Sequence, residues 1–208
     1  MGKGVLAVIS GFSGAGKGTI LRELRNRYDN YAYSVSATTR APRPGETDGK
    51  DYFFVSREKF EDMIEKNQLL EYNDYLGNYY GTPRTYAEQK INEGCDVLLE
   101  IEMNGGLQVL NNYPDAVLIF VTPSNAEELR NRLEKRGTET DEQIRNRLMQ
   151  AVRECSMMPK YDYILVNDNL EEAVETLHNI IRSCRCRTEN SREIIAGIQN
   201  KLRGENKS

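Results

Sequence analysis

The sequence predicts an α/β fold: a five-stranded parallel sheet flanked by helices, with an inserted mixed α/β lobe and a helical lid. Three observations carry that expectation. Five short apolar runs are separated mostly by helix-periodic segments, a pattern that puts helices on the faces of a parallel sheet. The first run passes directly into a glycine-rich turn and a lysine. Two stretches, about 37–90 and about 127–157, break the alternation and read as additions to a core made of about 1–36, 91–126 and 158–208.

The first strand is Val5-Leu6-Ala7-Val8-Ile9, an unbroken apolar run of the kind buried on both faces. It leads into Gly11, Phe12, Ser13, Gly14, Ala15, Gly16, Lys17, Gly18 and Thr19, followed by helical spacing at Ile20, Leu21, Leu24 and Tyr28. Strand, glycine-rich loop and helix, in that order, are what a phosphate-binding loop requires. Glycines let successive N–H groups turn toward one anion. The helix beginning near Lys17 adds its positive dipole end, and Lys17 adds a full charge able to follow a transferring phosphoryl group. These nine residues are therefore the candidate site for a nucleoside triphosphate. One position departs from the common GxxxxGK[S/T] form: Gly18 follows the lysine and the hydroxyl comes at Thr19. Magnesium bridging two phosphates takes an oxygen ligand there, so either Thr19 reaches Mg2+ or water fills the position.

Further strands are expected at Tyr33–Ser36, Asp96–Ile101, Ala116–Val121 and Tyr163–Val166. Helical spacing appears at Ala126/Leu129/Leu133, at Ile144/Leu148/Ala151/Val152/Cys155 and at Val174/Leu177/Ile181. Ser124-x-x-Glu127 and Thr140-x-x-Gln143 read as capping boxes opening the first two of these helices. A last amphipathic stretch, Ile194/Ile195/Ile198/Leu202, packs or pairs through one face. The inserted lobe shows β-like runs at Tyr52–Val55 and Leu69–Tyr72, a helix from Ser56 to Lys66, and many Gly, Pro and Tyr. The second insertion reads as two charged helices joined by Arg136-Gly137-Thr138, a hairpin suited to a lid.

A formal net charge of −4 argues against a general nucleic-acid binder. Cys95, Cys155, Cys184 and Cys186 have neither ligand spacing nor a framework of pairs, which speaks against zinc and disulfides and for a reducing cytoplasm. Cys184-x-Cys186 reads as two half-buried thiols near a helix end. No stretch is long and apolar enough to span a bilayer, so no membrane association is expected.

The inserted lobe carries Ser36-Ala37-Thr38-Thr39-Arg40-Ala41-Pro42-Arg43-Pro44-Gly45-Glu46, then Lys50-Asp51-Tyr52-Phe53-Phe54, Glu71, and Gly77-Asn78-Tyr79-Tyr80-Gly81-Thr82. With the loop at Gly11–Thr19, these runs resemble the guanylate kinase family from Gly4 to about Cys184, in order and spacing. The resemblance implies a P-loop kinase core and a GMP-binding lobe. It further implies transfer of the γ-phosphoryl group of MgATP to GMP. Arg40 and Arg43, three apart around Pro42, are suited to aim two guanidinium forks at one phosphate. By resemblance they hold the GMP phosphate together with Tyr52 and Tyr80. Glu71 is suited to accept both the N1–H and N2–H donors of guanine, whereas adenine would present a lone pair at N1. By resemblance Glu71 selects the base, and Ser36 and Thr82 bind the guanine edge. Glu46 reads as a loop anchor, and Lys50 and Asp51 as turn formers.

Arg132, Arg136 and Arg147 match the arginines that this family brings onto the ATP phosphates, and with Lys17 and Arg40 they are the expected catalytic cations. Glu100 and Glu102 end a strand and, at period two, point to the same side. They are placed at the GMP site although the family more often has aspartates there, and Asn104 stands where it has glutamine. Asn167 and Asp168 lie where the family accommodates adenine, and equally suit helix capping. No catalytic base is needed, because the acceptor phosphate oxygen is already ionised. His178, the lone histidine, reads as structural or surface. Oligomeric state is not legible.

Overall fold

The computed structural model describes residues 3–135 and 140–205. Nine strands and eight α-helices are present among them. The first sheet contains β1 (Leu6–Gly11), β2 (Tyr31–Tyr33), β7 (Asp96–Glu100), β8 (Val117–Thr122) and β9 (Tyr163–Val166). Its order is β2-β7-β1-β8-β9, and every pairing is parallel. Strand β1 lies at the centre with Leu6–Ile9 fully buried, as its unbroken apolar run requires. Helices α1 (Lys17–Arg27), α4 (Met103–Asn112) and α7 (Leu170–Cys184) pack against this layer. The loop after β1 is seated by Phe12, whose ring meets Phe120 edge-on at 4.9 Å.

The second sheet, ordered β4-β3-β6-β5, forms the inserted lobe from β3 (Ala37–Thr38), β4 (Phe53–Phe54), β5 (Leu69–Tyr75) and β6 (Asn78–Pro83). It is mixed: β3 runs parallel to β4 and antiparallel to β6. Helix α2 (Arg57–Glu65) covers it through Phe60, and Ser56 caps that helix by accepting from the Lys59 N–H at 3.2 Å. Helix α3 (Arg84–Asn92) returns the chain to β7. Helices α5 (Ala126–Lys135) and α6 (Asp141–Cys155) form the second insertion, and α8 (Arg192–Glu205) ends the described chain.

Several boundaries differ from expectation. Strand β2 sits two to three residues before the run Tyr33–Ser36, because its pairing with β7 begins at Tyr31 and the chain must leave the sheet after Ser34 to enter the lobe. Helix α5 is capped one residue late: Asn125, not Ser124, accepts from the Glu128 N–H at 2.8 Å. The Thr140–Gln143 box is formed as expected. Neither Asn167 nor Asp168 caps α7; Asn169 does, accepting from Glu171 and Glu172. Cys184 is buried and Cys186 exposed, rather than both half-buried. On α8, Ile194, Ile198 and Leu202 stay exposed, so its apolar face does not pack on the core. His178 is structural: its ring stacks on Tyr28 at 3.6 Å and hydrogen-bonds the Tyr31 hydroxyl at 2.7 Å.

The amino-terminal end of the large sheet is locked by Asp96, the first residue of β7 and only 1% exposed. Its carboxylate accepts from the Val5 N–H, from Asn30 Nδ2 and from Arg185 Nε, each at 2.9 Å. Removing one member of such a buried cluster strands the rest. Asp96→Ala is therefore expected to destabilise the fold by about 3 kcal/mol or more, read as a lowered urea midpoint. Activity per folded molecule should be unchanged, since Asp96 opens β7 while the candidate site lies at the strands' other ends.

Candidate active site

Strand β1 delivers the chain to the carboxyl edge of the sheet, where ligand sites of parallel α/β folds lie. Gly16 caps α1 at φ 89°, a left-handed conformation, and a Cβ there would stand 2.5 Å from Asn167 Nδ2. The reason for that closeness is functional shape: Asn167 donates to the Ala15 carbonyl at 2.7 Å and so fixes the turn from the β9 side. Lys17 reaches back along the loop, donating from Nζ to the carbonyls of Gly11 at 2.8 Å and Phe12 at 3.2 Å. Arg147, on α6, donates to Ser13 Oγ and so brings the second insertion onto the loop.

Two openings flank the loop. One, of about 450 Å³, is lined by Ser13, Lys17, Gly18, Thr19, Arg22 and Glu100. The other, of about 410 Å³, lies among Gly14, Gly16, Thr19, Arg132, Asn167 and Asp168. Arg132 is steered toward it by Glu128 at 2.7 Å and Asp168 at 3.7 Å, while Asp168 accepts from the Ser124 N–H. Arg136 lies outside the described residues.

A third cleft, of about 410 Å³, opens between the lobe and α4. Ser36, Tyr52, Glu71, Tyr80, Glu100 and Glu102 all line it. Glu71 is 6% exposed and accepts from Thr82 Oγ1 at 2.7 Å. Burial pushes its carboxyl above the usual carboxylate range, partly opposed by hydrogen bonds from Thr82. Thr82 itself is buried beside Glu71 and contributes no wall to the cleft, so it acts through the carboxylate. At the cleft's other end, Tyr52 and Tyr80 meet edge-on at 6.0 Å, and the Arg40 guanidinium lies 5.3 Å from the Tyr52 ring.

Arg40 does not stand alone. Glu46 accepts its fork in two bonds, at 3.0 and 2.9 Å, and also accepts from the Arg43 N–H at 2.7 Å. Glu46 is thus the anchor of the loop that carries both arginines, and its carboxylate engages Arg40 with the bidentate geometry that suits a phosphate. The Arg43 side chain is exposed and lies outside the lining of the cleft.

Glu100 is the meeting point, since it lines both the third cleft and the opening beside Lys17 and Thr19. It accepts from the Tyr33 hydroxyl at 3.3 Å, and burial together with Glu100 raises the Tyr33 phenol's pKa. Sequence reasoning missed Arg22 at the loop and Asn73 and Gln108 in the cleft. For Arg22 the available signal was its place one turn after Thr19 on α1. For Gln108 there was none, because α4 itself was not foreseen.

A parallel sheet with a phosphate-type loop at its carboxyl edge, and a second acceptor-sized cleft sharing a wall with it, defines a P-loop kinase. Residues 3–184 match the family model described as guanylate kinase. A guanylate kinase from Desulfitobacterium hafniense is 50% identical over 195 residues, covering 94% of this chain and 98% of that protein. One from Halalkalibacterium halodurans is 51% identical over 187 residues, covering 90% and 92%. The crystal structure of guanylate kinase from Anaplasma phagocytophilum superposes with a TM-score of 0.68 at 34% identity, covering 91% of this chain and 90% of that one. The chain belongs to the guanylate kinase family.

Proposed function

We propose that this chain, as an ATP:GMP phosphotransferase, uses the Gly11–Thr19 loop for ATP and the third cleft for GMP. The observation that carries the assignment is Glu71, a buried carboxylate walled into a cleft that shares Glu100 with the phosphate loop. Paired guanine donors suit that carboxylate; the N1 lone pair of adenine does not. Ser36 lines the guanine end, and Thr82 holds Glu71 in place. Arg40, Arg43, Tyr52 and Tyr80 take the GMP phosphate, with Arg40 exchanging Glu46 for it. Asn167 and the loop of Gly11–Thr19 hold the ATP side, and Glu100 and Glu102 border GMP.

In the reaction, an ionised oxygen of GMP attacks the γ-phosphorus of ATP. A new P–O bond forms as the bond to the β-phosphate's bridging oxygen breaks, giving GDP and ADP. No base is required, so the protein's work is positioning and neutralisation. Lys17 follows the moving charge. Arg132, Arg136 and Arg147 come onto the phosphates from the lid, which also excludes water. The working parts are a core, a GMP lobe at about 37–90 and a lid at about 127–157.

Mg2+ fits the residues present. The Thr19 hydroxyl and the Glu100 carboxylate, both hard oxygen donors, border one opening beside Lys17. No group of three or more His, Cys, Asp or Glu that could hold a metal ion is found among the described residues. Bound at that opening, Mg2+ would neutralise the β- and γ-phosphates. The described cysteines are all free thiols, which suits a reducing cytoplasm, and no described helix is long and apolar enough to cross a membrane.

A coupled assay of ADP formation across nucleoside monophosphates tests the substrate assignment. GMP should far exceed AMP, CMP and UMP as acceptor. Equal use of AMP, or ADP formation without any acceptor, would contradict it.

A further inference from the structure

We propose that Gln108 and Asn112 on α4 are positioning residues for Glu71, gripping the backbone on either side of it; this rests on the reading of Glu71 as the base selector. Strand β5 is the edge of the lobe's sheet, with β6 on one side only. Its other side therefore presents N–H and C=O groups that need partners. The core helix α4 supplies them. Gln108 Oε1 accepts from the Tyr72 N–H and Gln108 Nε2 donates to the Tyr72 carbonyl, both at 3.2 Å. Asn112 Nδ2 donates to the Leu70 carbonyl at 2.9 Å. The side-chain amide of Gln108 thus pairs with residue 72 as a neighbouring strand would.

The match of spacings explains why a helix can do this. Residues 108 and 112 are one turn apart, about 6 Å along a helix axis. Leu70 and Tyr72 are two residues apart, at most about 6.8 Å along a strand, and the register of β5 with β6 shifts between Leu69 and Tyr72, which brings them nearer the helical spacing. Glu71 is the residue between them, so both of its peptide neighbours are held by the core. Gly105 completes the stripe at i, i+3 and i+7: a Cβ there would lie 3.0 Å from Glu71 Oε2, so the absent side chain makes room for the carboxylate. Arg84 closes the seam, donating to the carbonyls of Asn67, before β5, and of Asn112, at the end of α4. The lobe is otherwise a separate sheet with its own small core. Its base-reading corner is nonetheless fastened to the large domain along the seam of α4 and β5.

The test uses Gln108→Met, which keeps length and removes both bonds, and Asn112→Asp, which is isosteric and removes the donor. KM and kcat are measured for GMP, AMP and ATP in each variant and in the double variant. Each single change is expected to raise KM for GMP roughly three- to tenfold, with kcat and KM for ATP little altered. The ratio of GMP to AMP efficiency should fall, most in the double variant. A merely structural role would lower the active fraction and leave both KM values and the ratio in place, and that result would overturn the proposal. Glu71→Gln is run in parallel. If it abolishes discrimination while the double variant does not, the grip is refuted and the base assignment stands; if it leaves discrimination intact, the base assignment falls and the grip with it. Because Gln108 also lines the cleft and Asn112 does not, Asn112→Asp decides between positioning and direct contact, and decides alone should Gln108→Met fail to fold: a KM effect confined to Gln108→Met would overturn the proposal.

Discussion

Replacing Lys17 by Ala is expected to lower turnover by roughly 10²-fold or more while leaving the fold intact, the scale of losing one preorganised transition-state donor. Lys17 sits at the first turn of α1, where the loop's N–H groups and the helix dipole already favour an anion. Ground-state binding of ATP should therefore survive in large part, and the loss should appear in kcat. Its bonds to the carbonyls of Gly11, the last residue of β1, and Phe12 are part-buried and add about 1 kcal/mol each, a loss the fold survives. Single-turnover rates beside a thermal melt separate the two effects. A folded variant that turns over like the parent would remove the loop from the reaction.

Glu71→Gln is expected to damage GMP use far more than ATP binding. The amide retains one acceptor for guanine but turns an NH2 toward a guanine donor. Loss of a buried charged acceptor against paired donors corresponds to roughly 10²-fold or more in kcat/KM for GMP. A pH profile gives an independent check. Because burial raises the Glu71 pKa, and guanine needs the carboxylate, kcat/KM for GMP should fall as pH drops through a value above 4.5. The profile for Glu71→Gln should lack that fall and keep only the titration of the substrate phosphates. Stability runs the other way. A carboxyl whose folded pKa exceeds its unfolded one favours folding at low pH and loses that contribution as pH rises through the folded pKa. At neutral pH the buried charge is a cost, so Glu71→Gln should leave the melting temperature of the ligand-free protein unchanged or slightly higher. Unaltered GMP-over-AMP preference would exclude Glu71 as the base reader.

How far the sequence discloses this arrangement differs by part. The β1–loop–α1 unit is legible because each of its signals is local: an unbroken apolar run, φ-permissive glycines and helical spacing within about twenty residues. Thr140 and Gln143 announce α6 for the same reason. Helices α3 and α4 are not legible. Gly105-Gly106 and the paired asparagines of α4 carry poor helix propensity, and packing against β1 and β5 overrides it. With α4 hidden, the grip of Gln108 and Asn112 on β5 is hidden too, since no spacing within a segment reports a contact across 36 or 42 residues. Arg40 and Arg43 are legible as a pair and Glu46 as an anchor of their loop, but that its carboxylate clasps the Arg40 fork is not. The buried partnership of Thr82 with Glu71 likewise emerges only when β5 and β6 form their hairpin.

The central claim is that two clefts sharing Glu100 hold donor and acceptor nucleotides end to end. A crystal structure with a bisubstrate analogue, adenosine and guanosine joined through their phosphates, tests it most directly. The account predicts guanine N1–H and N2–H on the Glu71 carboxylate, and the nearer phosphate among Arg40, Tyr52 and Tyr80 with Glu46 displaced from the Arg40 fork. It places the remaining phosphates on the loop from Gly14 to Thr19. Guanine bound away from Glu71, or an Arg40–Glu46 pair unchanged with the phosphate elsewhere, would contradict it.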